Sequence, residues 1–150
     1  MASRTTDRDL GLKRFIRELQ AAKVTEVVVG VQQGADNDGQ QIAEYAAYNE
    51  FGTDSIPERS FMRSAFDENL AELRQDMDAQ YGRVQAGQIT VRTALGLVGL
   101  RHQDQIKNKI DTNIPPPNSP VTIAKKGSSH TLIDTGAMKN SIHYIMRAVS

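Results

Sequence analysis

At 150 residues, with 39% hydrophobic and 24% charged side chains, the chain has the length and balance of one soluble globular domain. It has no cysteine, which excludes disulfides and thiolate metal sites, and no run of about 18 apolar residues that could cross a membrane. Its formal charge is zero, which argues against coating nucleic acid, but residues 1–100 hold 11 Lys/Arg against 15 Asp/Glu, a net −4, and residues 101–150 hold 7 against 3, a net +4.

That polarity suits head-to-tail contacts between copies, an acidic face meeting a basic one. Chance fluctuation in a short chain gives the same pattern. The N-terminal stretch MASRTTDRDLGLKRF lacks the apolar run of a secretory signal, so synthesis and use in a reducing cytoplasm are expected.

Leu12, Phe15, Ile16 and Leu19 fall on one helical face, with Asp7 or Asp9 as a cap. The β-branched run Glu26–Val31 reads as a buried strand, and Gly34–Gly39 as a turn or exposed loop. A short helix with Ile42, Tyr45 and Ala46 inward should stop near Gly52. Pro57 breaks the chain, and a long helix starting near Ser60 carries the stripe Phe66, Leu70, Leu73, Met77, Tyr81 and Val84, weakened at its end by Gly82 and Gly87.

Thr90 can cap a further helix with the stripe Val91, Leu95, Val98, His102 and Ile106. Gly96 and Gly99 within it each cost about 1 kcal/mol against Ala, tolerable where another backbone approaches closely. Together these helices predict an antiparallel hairpin over about 60–112. The run Asn113–Pro120, with three successive prolines, predicts an extended polyproline segment leading into the basic loop Lys125–His130, an arm covering about 113–131. A last strand places Ile142, Tyr144 and Met146 on one face and can pair with the first. The expected fold is α+β: a small antiparallel sheet packed by helices, with a long helical hairpin and a Pro-rich extended arm, in one domain over 1–150.

The sharpest enzymatic signal is Asp134-Thr135-Gly136, which resembles the active-site triplet of retroviral-type aspartic proteases, where two such carboxylates share a proton across a dimer. Only 14 residues follow Gly136, however, and helices and prolines rather than strands precede the triplet. The competing reading is a tight turn capped by Asp134 or Thr135, with Gly136 in a conformation other residues resist. His102, His130 and His143 lack metal-ligand spacing, and neither phosphate-cradling loops nor a Gly-x-Ser-x-Gly elbow occurs, so no cofactor, metal or catalysis is expected. Lys125, Lys126 and His130 can reach DNA phosphates, though two lysines in a loop also describe a plain solvated turn.

Two segments in order carry a family resemblance. The first is IAEYAAYNEFGT (42–53) with IPERSFMR (56–63); the second is PPNSPVTIAKKG (116–127) with LIDTGAMKNSI (132–142). The pair resembles the neck and tail-completion proteins of tailed bacteriophages, also called virion morphogenesis proteins, departing at Ser60, where a second proline is common. The resemblance implies a non-enzymatic virion protein that completes the tail or joins it to the head, assembled in the host cytoplasm as a hexameric ring (twelve copies being the alternative) around the DNA channel. Tail-terminator and head-closure rings of the same neck are neighbouring alternatives, and a dimeric protease using Asp134 a remote one.

The implied partners are further copies and adjacent neck and tail proteins, with non-specific DNA contact in the channel and no membrane. Motif residues expected to serve assembly are Glu50, Phe51, Gly52, Pro57, Arg59, Phe61 and Arg63 in the first segment. In the second they are Pro117, Ser119, Thr122, Lys125, Lys126, Leu132, Asp134, Thr135 and Gly136.

Overall fold

Asp9 sets off the first helix: its carboxylate accepts from the Gly11 N–H at 2.9 Å and, more weakly, from the Lys13 N–H at 3.5 Å, ahead of α1 (Leu12–Lys23). The computed structural model describes residues 9–32, 34, 36, 37 and 39–149, so the other expected cap, Asp7, and parts of the 34–39 loop lie outside the described residues. From α1 the chain passes straight into β1 (Thr25–Val31). A two-residue ribbon, β2 (Asp36–Asn37) with β3 (Gln40–Gln41), then leads to α2 (Ile42–Phe51). Two long helices follow, α3 (Phe61–Gln85) and α4 (Val91–Asp111), then short α5 (Pro120–Lys126) and α6 (Ala137–Asn140), and finally β4 (Ile142–Ala148). The fold is α+β.

The first and last strands pair antiparallel, as expected, with Val27 opposite Met146, Val29 opposite Tyr144 and Val31 opposite Ile142. This register puts the odd-numbered valines of β1 on one face with Ile142, Tyr144 and Met146. Helix α4 packs against that face through its two glycines. A Cβ on Gly99 would stand 2.6 Å from Val27 Cγ2 and 3.1 Å from Tyr144 Cβ, while one on Gly96 would meet nothing nearer than Met146 Cε at 3.5 Å. Side chains of the sheet, rather than the second backbone the glycines suggested, approach α4 here. β1 is half-buried throughout instead of fully buried, because a two-stranded sheet has too few neighbours to enclose it.

Helices α3 and α4 form the antiparallel hairpin, cross-tied by Glu68–Lys109 at 2.5 Å, Glu72–Arg101 at 2.8 Å and Gln105–Glu72 at 2.9 Å. The expected stripes need correcting. α3 buries Phe61, Ala65, Leu73 and Val84, whereas Phe66, Met77 and Tyr81 stay about half exposed. On α4 the buried positions are Ala94, Gly96, Gly99, Ile106 and Ile110. A helix wedged between a partner helix and a sheet is buried where small residues permit close approach, so apolarity alone misplaces the contact line.

Leu12, Ile16 and Leu19 share one α1 face as expected, yet all three are exposed within the chain. The main core lies elsewhere, where α2, the start of α3, the end of α4, α6 and the start of β4 converge on Phe61, Ala65, Ile106, Ile110, Met138 and Ile142. Among the described residues no helix is long and apolar enough to cross a membrane.

The expected arm is shorter and does not protrude. Asn113–Ser119 has no regular secondary structure, but Pro120–Lys126 is helical: Ser119 caps it, accepting from the Thr122 N–H at 3.2 Å, Pro120 opens it and Gly127 (φ 69°) closes it. Ile114 is buried in the core and anchors the segment against the body.

Candidate functional site

The first motif segment is a corner built around Glu50. Gly52 ends α2 at φ 74°, and a Cβ there would lie 3.0 Å from the Glu58 nitrogen, so the turn calls for glycine. Beyond it, the Thr53 hydroxyl accepts from the Ile56 N–H at 3.0 Å, and the Thr53 N–H donates to the Ile56 carbonyl at 2.8 Å. The corner returns the chain so that α3 begins beside Glu50.

There the fully buried Glu50 carboxylate accepts from the backbone N–H groups of Met62 at 2.9 Å and Arg63 at 3.0 Å. Ser60, the positional N-cap of α3, makes no side-chain cap, so Glu50 supplies acceptors and negative charge to that terminus from another helix. Arg63 pairs with Glu50 at 3.0 Å and with Glu58 at 2.7 Å, and the Glu50 bond foremost holds its guanidinium above the usual arginine range. The same guanidinium lies 4.9 Å over the exposed Phe51 ring.

Arg59 carries the corner to the second motif segment. Its N–H donates to the Asn49 carbonyl at 2.7 Å, which turns the side chain toward the proline run. Nε donates to the Pro116 carbonyl at 2.8 Å, and Nη2 to the Pro117 carbonyl at 3.3 Å and Asn118 Oδ1 at 3.5 Å. Arg59 is only 5% exposed and, among the described residues, forms no ion pair; burial lowers its pKa, with nearby Tyr45 opposing.

Asn118 Nδ2 and Lys126 Nζ both donate to the His130 carbonyl, at 2.9 and 2.8 Å. Lys126 therefore turns inward while Lys125 stays exposed. Burial, then repulsion from Arg59, pushes the Lys126 amine below the ordinary lysine range against the opposing pull of Asp134. Thr131 N–H donates to Asn113 Oδ1 at 2.8 Å, and the buried Thr131 hydroxyl finds no partner among the described residues.

Between the segments lies a cleft of about 440 Å³ lined by Tyr45, Pro57, Arg59, Pro117, Thr122, Lys126 and Thr131, among others. Of the motif residues, Pro57, Arg59, Pro117, Ser119, Thr122 and Lys126 are thus brought together here. Glu50, Gly52 and Arg63 form the corner outside the cleft, with Phe51 exposed beneath the Arg63 guanidinium and Phe61 in the main core.

Leu132, Asp134, Thr135 and Gly136 line a separate, smaller pocket of about 120 Å³ with Ile42 and Tyr45. There Gly136 sits at φ 79° and the Thr135 hydroxyl accepts from the Ala137 N–H at 3.3 Å, the turn that leads into α6 and β4. Asp134 is exposed, and among the described residues it is the one carboxylate lining this pocket.

Asn49, Asn113, Asn118 and Thr131 were not singled out by the sequence. Short polar side chains beside turns are too common to stand out, and only Asn113, at φ 57°, occupies a backbone conformation for which asparagine is a recognised choice. Among the described residues no three His, Asp or Glu side chains gather in a metal-binding group. Comparison with known protein families, with curated proteins and with solved structures finds no match for this chain.

Proposed function

We propose that the chain is a structural subunit of the neck of a tailed bacteriophage, completing the tail or joining it to the head as an oligomeric ring around the DNA channel. The observation that carries this reading is the junction at Arg59. The two segments on which the resemblance rests are bonded to each other, through Arg59 to the Pro116 and Pro117 carbonyls. Residues so far apart in the chain, acting as one unit, are what a shared assembly surface requires.

Unused apolar surface supports the same reading. Leu12, Ile16 and Leu19 on α1, and Phe66, Met77 and Tyr81 on α3, are all exposed in the single chain. Apolar stripes of this length favour cover by neighbouring subunits. In this reading the protein makes no bond and breaks none; its work is contact with copies of itself and with adjacent neck and tail layers, in the virion.

The test combines the native mass of the purified chain, alone and with its tail partner, with micrographs of phage lacking the gene. A ring of six copies and an accumulation of separate heads and tails are expected. Normal infectious particles without the protein would overturn the reading.

A further inference from the structure

The cleft between the two motif segments contains two cations whose hydrogen bonds all go to neutral oxygens. Arg59 binds the carbonyls of Pro116 and Pro117 and the amide oxygen of Asn118, and Lys126 binds the His130 carbonyl. Among the described residues neither forms an ion pair, and the exposed Asp134 acts on Lys126 only at longer range. A cation that is buried, as Arg59 is, or half-buried, as Lys126 is, and held by dipoles alone is under-compensated, because carbonyls replace part of its hydration but none of its counter-charge.

A third residue, of a different kind, lines the same space. Thr131 is 4% exposed and lines the cleft, and among the described residues its hydroxyl has no hydrogen-bond partner. Buried hydroxyls are almost always paired, so an orphan lining the same cleft as two under-compensated cations marks the place of a missing acceptor. The cleft's 440 Å³ falls in the size range of ligand sites.

We infer that this cleft receives a carboxylate borne on a polypeptide, a Glu or Asp side chain or a chain terminus that Arg59, Lys126 and Thr131 bind together. A carboxylate brings two oxygens with several lone pairs, enough for a guanidinium, an ammonium and a hydroxyl at once. The proline rings of Pro57 and Pro117 offer apolar walls for its stem. A nucleic-acid backbone fits less well: it is met by exposed cations along a track, and Arg59 is recessed while the exposed Lys125 stands outside the cleft. The inference rests on the assembly reading for the source of the carboxylate, and on the cleft alone for its binding.

The test titrates the isotope-labelled full chain with glutarate, and separately with inorganic phosphate, at constant ionic strength, following backbone amide shifts at Arg59, Asn118, Lys126 and Thr131. Saturable shifts with glutarate are expected, weakened at least tenfold in Lys126→Gln and in Thr131→Val. Both variants should stay folded, as their melts will show, since Lys126 is only half-buried and the Thr131 hydroxyl has no partner among the described residues. Absence of saturable shifts with glutarate, binding of phosphate but not glutarate, or glutarate binding undiminished in both variants would each overturn the inference.

A dilution series without additive separates the sources. Concentration-dependent shifts at the same residues, cleared by glutarate, assign the carboxylate to a second copy. Glutarate binding with no concentration dependence assigns it to a different protein. Because binding is read on the isolated chain and the neck reading on phage particles, either can fail without the other.

Discussion

Glu50 and Arg63 are bonded through both main chain and side chain: the Glu50 carboxylate accepts from the Arg63 N–H and Nε, each at 3.0 Å, and Arg63 Nη2 donates to the Glu50 carbonyl at 2.7 Å. Glu50 thereby fixes where α3 begins and how α2 meets it. The same device recurs at α4, where Glu18 of α1 accepts from the Val91 N–H at 2.7 Å. Each long helix of the hairpin receives an acidic cap from an earlier helix.

Replacing Glu50 with Ala should therefore cost about 2–4 kcal/mol, because two N–H groups of α3 lose a charged acceptor in a buried place. Glu50→Gln keeps an oxygen and should lose about half as much. Urea unfolding measures both. An Ala variant within 0.5 kcal/mol of the parent, a limit of about the size of ordinary surface effects, would show that Glu50 is dispensable.

The glycines of α4 should respond in opposite directions. Gly99→Ala forces a Cβ to within 2.6 Å of Val27 Cγ2, overpacking that should destabilise by about 1–3 kcal/mol. Gly96→Ala meets nothing nearer than 3.5 Å and should stabilise by up to about 1 kcal/mol through helix propensity. Thermal melts of the pair read the sign directly.

Arg59→Lys should loosen the second motif segment without unfolding the core. A lysine keeps the charge but cannot reproduce a fork spanning two carbonyls. Faster hydrogen exchange confined to about residues 116–131 is expected, and unchanged exchange there would contradict the tether.

Leu73 and Met77 are one turn apart on α3, yet only Leu73 is buried. Leu73→Ala should cost about 2–4 kcal/mol in the isolated chain. Met77→Ser should change its stability by less than about 0.5 kcal/mol and instead weaken self-association, followed by sedimentation. An equal loss of stability in both would place Met77 in the core.

Lys126 adds a pH dependence. Burial lowers its folded pKa below the ordinary lysine value, so in the window between the two the unfolded chain binds more protons and stability rises with pH. The penalty is full below the folded pKa and gone above the unfolded one. Lys126→Met should flatten the rise relative to the parent in denaturation curves taken across mildly alkaline pH.

The pairing of β1 with β4 was legible because Glu26–Val31 is a continuous β-branched run and Ile142, Tyr144 and Met146 alternate along the last segment, so each reads as a strand. The hairpin was legible because its periodicity is long and a glycine-containing turn divides it. α5 was not. Its Ser119-Pro120 start and Gly127 stop are the ordinary signals, but they enclose only seven residues directly after the proline run, which masked them. The contact stripes of α3 and α4 were misread for a different reason: the large apolar Phe66 and Met77 stay about half exposed, while Ala65, Ala94 and the two glycines of α4 are buried.

At the cleft, the sequence marked Arg59, Pro117 and Lys126 but not what joins them. By itself it determined the elements and most of their ends, since helix periodicity, strand composition, caps and breakers act within a few residues and need no distant partner. Only the tertiary structure decided that Glu50 would cap a helix not its own, that Arg59 would reach the proline carbonyls, and that the Thr131 hydroxyl would find no partner among the described residues. Those outcomes depend on which groups lose water together, and that is a property of the packed chain.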